Sequence, residues 1–241
     1  MKKMKTKNVG NYIQHGNASW SFDGKTAKNF DKHIKQSIPM YDTMHELALK
    51  ISDFFLTEKS NIYDLGCSTG TFINLLQKRH SKKKHNIYGV DEIKKMCDEA
   101  KKKNKKFKNI KIINSKLEKL NFKSSSMISS FFTMQFIKPS RRQLMFNKIF
   151  TSLDWGGCFF LFEKVRYPDA RFQDIMNQVY FDYKLDRGFT SEEVINKSRS
   201  LKGVMEPFST NGNIQLLKRA GFKDIVTIFK FTTFEGILSI K

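Results

Sequence analysis

Residues 61–70 constrain the fold of this chain more than any other stretch. A short run of β-forming residues ends at Gly66, three small residues follow, and a helical pattern starts at Thr71 just after Gly70. This pattern predicts a strand, a tight loop and a helix. Because glycine has no Cβ, the loop can turn sharply and approach a ligand. In open α/β sheets, such a loop faces the crevice at the carboxyl ends of the strands, where ligands bind.

The next predicted strand, 86–91, ends in an acid, Asp91. A carboxylate at the tip of the second strand of a βαβ unit is placed to accept hydrogen bonds from the hydroxyls of a ribose. Glycine loop, helix, strand and terminal acid in this order favour a nucleoside site. The alternative is a tight turn of any α/β protein, with an acid that caps the next helix.

The loop differs from the nicotinamide fingerprint, which needs three glycines. It also contains no lysine or arginine that would favour a phosphate. The run Asp-Leu-Gly-Cys-Ser-Thr-Gly at 64–70 resembles the first motif of class I S-adenosyl-L-methionine-dependent enzymes. The resemblance implies S-adenosyl-L-methionine as the cofactor.

The rest of the chain alternates strands and helices and then closes with two β-rich runs. We predict strands at 61–65, 86–91, 109–114, 127–132, 157–163, 224–232 and 234–240, and helices at about 30–38, 44–56, 71–79, 92–103, 139–153, 168–185, 191–202 and 211–220. The pattern is typical of an α/β, doubly wound, Rossmann-like sheet of seven strands, the class I methyltransferase fold. We interpret 1–241 as one domain, with a basic leader and helical cover (1–58), a core (59–164), a helical insertion after the fifth strand (165–205) and a final helix and hairpin (206–241).

The formal net charge of +21 invites a nucleic-acid interpretation. Of the 44 basic residues, however, 36 are lysine, a bias that an AT-rich coding sequence would produce. We therefore favour a solvated lysine face at 101–108 over a patch that binds tRNA directly. The chain shows no apolar run of about 20 residues and no secretion signal, which predicts a cytoplasmic protein without a membrane segment. The three scattered cysteines predict no metal site.

Several motifs outside the cofactor loop resemble the carboxy-S-adenosyl-L-methionine synthase family. The resemblance runs from Trp20 to the C-terminus and is carried by residues 20–23, 30–41, 63–70, 89–91, 133–143, 163–164, 169–170, 182–184 and 188–193. It implies a homodimer that converts S-adenosyl-L-methionine and prephenate to carboxy-S-adenosyl-L-methionine and phenylpyruvate, for the modification of the tRNA wobble uridine. Deprotonation of the methyl group next to the sulfonium gives an ylide that can capture the carboxyl group. The new carboxylate then needs a cation, best an arginine.

The resemblance also implies a set of ligand-binding positions. Tyr41 and Arg199 are the expected catalytic residues and also contact the cofactor, and the further cofactor-binding positions are Gly66, Cys67, Ser68, Asp91, Glu92, Ser115, Lys116, Leu117 and Phe131.

Three positions depart from the family pattern. Lys116 stands where an acid is common, so Ser115 or a backbone carbonyl would accept from the adenine amino group. Phe131 stands where an asparagine is common. Ser198 takes the place of the carboxylate-binding arginine, with Arg199 one position further along. Two alternatives remain open: a methyltransferase that acts on a small molecule or RNA, and a non-catalytic nucleotide- or tRNA-binding protein.

Overall fold

A computed structural model describes residues 16–22 and 26–241. Most of the predicted basic leader falls on residues 1–15, outside the described residues. Asp23, part of the first motif of the family resemblance, also lies outside them.

The sheet has seven strands in the order β3-β2-β1-β4-β5-β7-β6. The strands are β1 (Asn61–Leu65), β2 (Asn86–Asp91), β3 (Ile110–Asn114), β4 (Ser125–Phe131), β5 (Leu153–Lys164), β6 (Asp224–Phe231) and β7 (Phe234–Ile240). The first five pair in parallel, and β7 pairs antiparallel to both β5 and β6. The predicted fold class is confirmed. The strand order reverses between β1 and β4, the place where such sheets bind ligands.

Among the described residues, two helices precede the sheet, three cross over it and three follow β5. They are α1 (Thr26–Ser37), α2 (Tyr41–Ser52), α3 (Thr71–Arg79), α4 (Lys94–Asn104), α5 (Pro139–Ser152), α6 (Ala170–Asp186), α7 (Ser191–Leu201) and α8 (Thr210–Ala220). Short 3-10 turns occupy Leu117–Lys119 and Met134–Phe136. Within the described residues, no helix combines the length and the apolar character that a membrane crossing requires.

Two element boundaries differ from the sequence prediction for physical reasons. Helix α2 starts at Tyr41, three residues earlier than predicted, because the chain turns at Pro39 and Met40, and the left-handed conformation of Met40 (φ 54°) directly precedes the helix. Strand β5 starts at Leu153, where it pairs with Ser125, and a register shift then occurs along β4. Gly156, at φ +76°, therefore lies within an irregular part of the strand and does not precede it.

The central strands bury side chains on both faces of the sheet. Alternating residues separate into two clusters: one contains Tyr63, Leu65, Ile128, Phe146, Phe159 and Phe222, and the other Ile62, Phe72, Ile73, Met127, Phe160 and Phe162. Strands covered on both faces become near-continuous apolar runs, as β5 shows. The polar strand tips are left to form the site.

Candidate active site

A cavity of about 720 Å³ lies at the carboxyl ends of the parallel strands. Residues at or just after the ends of four strands line it: Gly66, Asp91, Phe131 and Lys164. Helices α1 and α2 contribute one wall, and α6 and α7 contribute another. The helical cover and the helical insertion therefore close the same space over the strand tips.

The loop after β1 has the geometry that its glycines predict. Gly66 has φ +74°, and a Cβ there would collide with the side chain of Thr133. The N–H groups of Gly66 and Cys67 both donate to the Val90 carbonyl, at 2.8 and 3.0 Å. These bonds hold the loop against the neighbouring strand, so the backbone can lie close to a ligand in the cavity.

Asp91 ties this loop to the start of the following segment. Its Oδ2 accepts a 2.9 Å hydrogen bond from the Ser68 N–H, and its Oδ1 accepts one of 2.9 Å from the Ile93 N–H. Burial raises the pKa of this carboxyl, and the two backbone donors act in the opposite direction. Each carboxylate oxygen has further acceptor capacity. The pair of ribose hydroxyls expected here therefore has acceptors available.

Tyr41 lies in the first turn of α2 and lines the cavity beside Asp64. Burial, and after it the negative charge of Asp64, raises the pKa of the Tyr41 phenol far above its usual value, so the hydroxyl stays neutral. The buried Asp64 accepts a 2.8 Å bond from Ser129 Oγ, and burial raises its pKa to about 7. Tyr41 therefore offers the cavity a neutral hydroxyl.

Phe131 belongs to an aromatic wall at the end of β4. Its ring stacks on Phe162 at 4.6 Å between centroids, and the rings of His45 and Phe72 lie at 4.6 and 4.7 Å. The side chain that replaces the common asparagine therefore gives the cavity an apolar surface.

His45 lines the same wall and was missed by the sequence analysis. It is 2% exposed, and neither ring nitrogen has a hydrogen-bond partner among the described residues. Burial lowers its pKa to about 4, so the imidazole is neutral at physiological pH. Its spacing in α2, one turn after Tyr41, is the signal that points to the same face.

The predicted adenine side is only partly assembled as expected. Lys116 and Leu117 line the cavity, but Ser115 does not. Glu92, expected beside the ribose, also lines it. The Ser115 hydroxyl donates instead to the Lys116 carbonyl at 3.0 Å, and its N–H bonds the Asp91 carbonyl. Glu118 lines the cavity two residues after Lys116, so a carboxylate acceptor for an amino group is present after all.

The turn after β4 is positioned by buried polar groups. Arg142 donates to the carbonyls of Ile137 and Gln135, at 2.8 and 3.0 Å. Glu163 Oε1 accepts from the Met134 N–H at 3.0 Å, and burial raises the pKa of Glu163 to about 8. Gln135 Oε1 in turn accepts from the Lys164 N–H at 3.0 Å. These contacts hold Gln135 against the cavity.

Comparisons with known proteins agree with this geometry. Residues 62–157 match the family described as a methyltransferase domain. A carboxy-S-adenosyl-L-methionine synthase of Staphylococcus epidermidis is 39% identical over 225 residues, which cover 92% of this chain and 97% of that protein. One of Campylobacter lari is 33% identical over 224 residues, covering 92% and 94%. The chain belongs to the carboxy-S-adenosyl-L-methionine synthase family.

Solved structures support the fold. A candidate S-adenosyl-L-methionine-dependent methyltransferase of Methanococcus maripaludis superposes with a TM-score of 0.60 at 17% identity, covering 95% of this chain and 97% of that one. Human N-acetylserotonin methyltransferase, solved in complex with S-adenosyl-L-methionine, gives 0.61 at 17% identity, with 89% and 55% coverage. Family and fold together make this member of the synthase family a transferase that uses S-adenosyl-L-methionine.

Arg199 does not line the cavity, in contrast to the expectation from the family pattern. Its side chain is exposed on α7, whereas Lys197, Ser198 and Leu201 line the cavity. Two positions along an α-helix turn a side chain by about 200°, so Lys197 and Arg199 project to opposite sides. The buried Val194, together with Lys197 and Leu201, marks the inward face of α7.

Lys197 is therefore the basic residue of α7 that reaches the site. It is 8% exposed, with Nζ 2.7 Å from His33 Nε2 and 3.1 Å from Ser37 Oγ. Its ammonium group also lies 5.0 Å from the centre of the Trp20 ring. Burial, and then the charge of Lys164, lowers the pKa of Lys197 to about 7.

Two further lysines line the cavity around Tyr180. Lys164 Nζ is 4.4 Å and Lys184 Nζ 4.6 Å from the centre of the Tyr180 ring. Burial and then Lys202 lower the pKa of Lys164 to about 8, and burial followed by Lys197 and Lys164 lowers the pKa of Lys184 well below its usual value. Both lysines lie in segments of the family resemblance, but nothing local to them signals that they meet.

Proposed function

We propose that this protein forms carboxy-S-adenosyl-L-methionine from S-adenosyl-L-methionine and prephenate, releasing phenylpyruvate. One observation carries the proposal: a single cavity is lined by the Gly66 loop and Asp91 and also by Lys164 and Lys197. It offers a nucleoside-binding end and a cationic region in the same enclosed space. The near-full-length similarity to carboxy-S-adenosyl-L-methionine synthases supports this reaction over others of the same fold.

The residues present fit the nucleoside. Asp91 would accept from the ribose hydroxyls, the loop at Gly66, Cys67 and Ser68 would follow the methionine part, and Leu117 would contact the adenine. The bound cofactor supplies the methyl carbon that gains the carboxyl group. The atoms balance when a methyl proton and the ring hydroxyl of prephenate leave together as water and the ring becomes aromatic, so the reaction needs no oxidant or reductant.

The chain's own residues would hold the reactants and exclude water. Phe131, Phe72 and His45 form an apolar wall, and Tyr41 adds a neutral hydroxyl at the cover. A reactive carbon that must gain a carboxyl group is protected where bulk water is excluded. The helices on both sides of the cavity supply this enclosure.

Mass spectrometry of the released nucleoside tests the function. Protein is incubated with S-adenosyl-L-methionine and prephenate, and the product is compared with that of Asp91→Ala. A nucleoside heavier than S-adenosyl-L-methionine by one carbon dioxide, formed only by the wild type, is expected. Formation of S-adenosyl-L-homocysteine alone would replace the proposal by methyl transfer, the function that the exposed Arg199 favours.

We also propose that the enzyme is a cytoplasmic homodimer whose product serves tRNA wobble-uridine modification. Helix α6 presents an exposed apolar stripe of Phe172, Ile175 and Val179, at i, i+3 and i+7. A second copy of the chain is the occupant that family resemblance suggests. Ile175→Asp should halve the mass measured by light scattering, whereas Phe54→Asp, at an exposed phenylalanine outside α6, should not. A monomeric wild type would overturn the assignment.

A further inference from the structure

Three ammonium groups from three different elements converge on the cavity. Lys164 ends β5, Lys184 lies near the end of α6, and Lys197 lies on the inward face of α7. Lys164 and Lys184 both contact the ring of Tyr180. The charges of Lys197 and Lys164 contribute to the lowered pKa of Lys184, and that of Lys164 contributes to the lowered pKa of Lys197, so the three groups lie within electrostatic reach.

None of these three lysines has a carboxylate within 4 Å among the residues that the structure describes. The further charges that lower the pKa of Lys164 are cations, Lys202 and Arg166, which also line the cavity. The groups that contact the ammoniums are neutral or aromatic: Ser37, His33 and the rings of Tyr180 and Trp20. Aromatic faces and single acceptors offset only part of the cost of burying charge.

Buried like charges without counterions destabilise a fold, so their convergence in a cavity indicates an anionic ligand. The lowered pKa values remove part of this charge while no anion is bound, and an approaching carboxylate raises them again. A small molecule with two carboxylates can pair with more of the three lysines than a molecule with one. The Tyr180 ring adds a flat apolar surface for the part of the ligand between its charged groups.

We propose that Lys164, Lys184 and Lys197 form a subsite for the dicarboxylate carboxyl donor, which they recognise by its two negative charges. The inference deepens the proposed function and depends on it for the identity of the donor. The donor loses one carboxylate in the reaction, and the remaining monocarboxylate has fewer charge contacts. The subsite therefore binds the donor more tightly than the product, which helps the product to leave.

Calorimetry on a non-reacting complex tests this assignment. Wild-type protein is saturated with S-adenosyl-L-homocysteine, which has no methyl group to carboxylate, and titrated with prephenate and separately with phenylpyruvate. The variants are Lys164→Met, Lys184→Met and Lys197→Met, in which an unbranched side chain of similar length replaces lysine without its charge. Lys218→Met, at an exposed position on α8, removes the same charge away from the cavity.

Each cavity variant should lose about tenfold or more in prephenate affinity, and Lys218→Met should lose none. Phenylpyruvate should bind the wild type more weakly than prephenate. The melting temperature at pH 7 should stay level or rise in the cavity variants, because a buried charge has been removed. Loss of prephenate binding in a variant of equal or greater stability would separate a binding role from a structural one.

Three outcomes would overturn the subsite. The first is unchanged prephenate affinity in all three variants, and the second is no prephenate binding by the wild type. The third is a parallel loss of S-adenosyl-L-homocysteine affinity, which would reassign the lysines to the carboxylate of the cofactor. The proposed function can fail without the subsite. If prephenate binding depends on the lysines but no carboxylated nucleoside forms, the subsite is supported and the proposed function is wrong. If the variants form the carboxylated nucleoside as well as the wild type does, the function is supported and the subsite is wrong.

Discussion

Nζ of Lys197 lies 2.7 Å from Nε2 of His33, and both side chains are buried in the cavity wall. Ser37 Oγ completes the group, 3.1 Å from the lysine nitrogen and 3.2 Å from the imidazole. A protonated lysine can donate to a neutral imidazole, but two charged partners would repel each other. The protonation of this pair is therefore linked to the charge of whatever occupies the cavity.

The lowered pKa of Lys197 predicts how stability changes with pH. Its folded-state pKa of about 7 lies below the ordinary value of 10.5. Below pH 7 the lysine is protonated in both the folded and the unfolded state, so folding carries the full cost of burying its charge. Between about pH 7 and 10 the unfolded chain binds the proton that the folded chain has lost, so this group's contribution to stability rises with pH.

Lys197→Met should therefore be more stable than the wild type at pH 6, and its advantage should shrink toward pH 9. Urea unfolding at several pH values measures the difference in the free energy of unfolding between the two proteins. The contributions of Asp64 and Glu163 are common to both and cancel in this difference. The surrounding titratable groups are His33, Lys164 and Lys184, with Lys202 and Arg166 beyond Lys164. A difference that is constant across this range would contradict the assignment.

Asp91→Ala should weaken nucleoside binding by about 10- to 100-fold, because hydrogen bonds to a charged group are among the stronger ones. It should also lower the free energy of unfolding by about 1–3 kcal/mol, since the N–H groups of Ser68 and Ile93 lose their acceptor. Calorimetry with S-adenosyl-L-homocysteine measures the first effect. Asp224→Ala, at an exposed strand end, is the control, and equal affinity in both variants would remove the ribose assignment.

Gly66→Ala and Gly156→Ala form a matched pair, because both glycines have φ near +75°. A Cβ at Gly156 meets nothing within 4 Å, whereas one at Gly66 collides with Thr133. Gly156→Ala should lower the free energy of unfolding by about 1 kcal/mol through backbone strain alone. Gly66→Ala should lower it by more than this and should also abolish nucleoside binding. Similar losses in the two variants, by chemical unfolding and calorimetry, would show that the contact with Thr133 is unimportant.

Arg142→Met should destabilise the fold by about 2–3 kcal/mol, because the buried Ile137 carbonyl loses its donor and the Gln135 carbonyl keeps only the N–H of Glu206. The turn that carries Gln135 should loosen, which raises KM for the substrates. The neighbouring Arg141→Met, at an exposed position, should change stability by less than about 0.5 kcal/mol. Equal urea midpoints for the two variants would exclude this positioning role.

The nucleoside-binding half of the site could be anticipated because its signals are local. Gly66 is recognised because a tight turn after a strand requires glycine, and Asp91 because it is the acid at the end of a strand. The structure places both at the cavity. The boundaries of β1, α3 and β2 agree with the prediction for the same reason. The start of α2 was harder to predict because Met40 adopts a left-handed conformation that its residue type does not signal.

The cationic region could not be anticipated in this way. The family pattern predicted Arg199 as the cation of the site. The packing of the buried Val194, however, sets which face of α7 points inward, and Arg199 is not on that face. The capping box of Thr190 and Glu193 fixes where the helix starts, yet not which side meets the cavity. Lys184 likewise gave no local signal of function, and the position of His45 one turn after Tyr41 indicated only that the two share a helix face.

The sequence by itself determined the order of strand, loop and helix, the glycine turn and the acid that ends β2, since each follows from the preferences of adjacent residues. Only the tertiary structure decided that Lys164, Lys184 and Lys197 meet around one cavity while Arg199 faces solvent. Side chains on separate elements are brought together by the packing of those elements. On α7, a rotation of about 100° per residue decides which charge is buried.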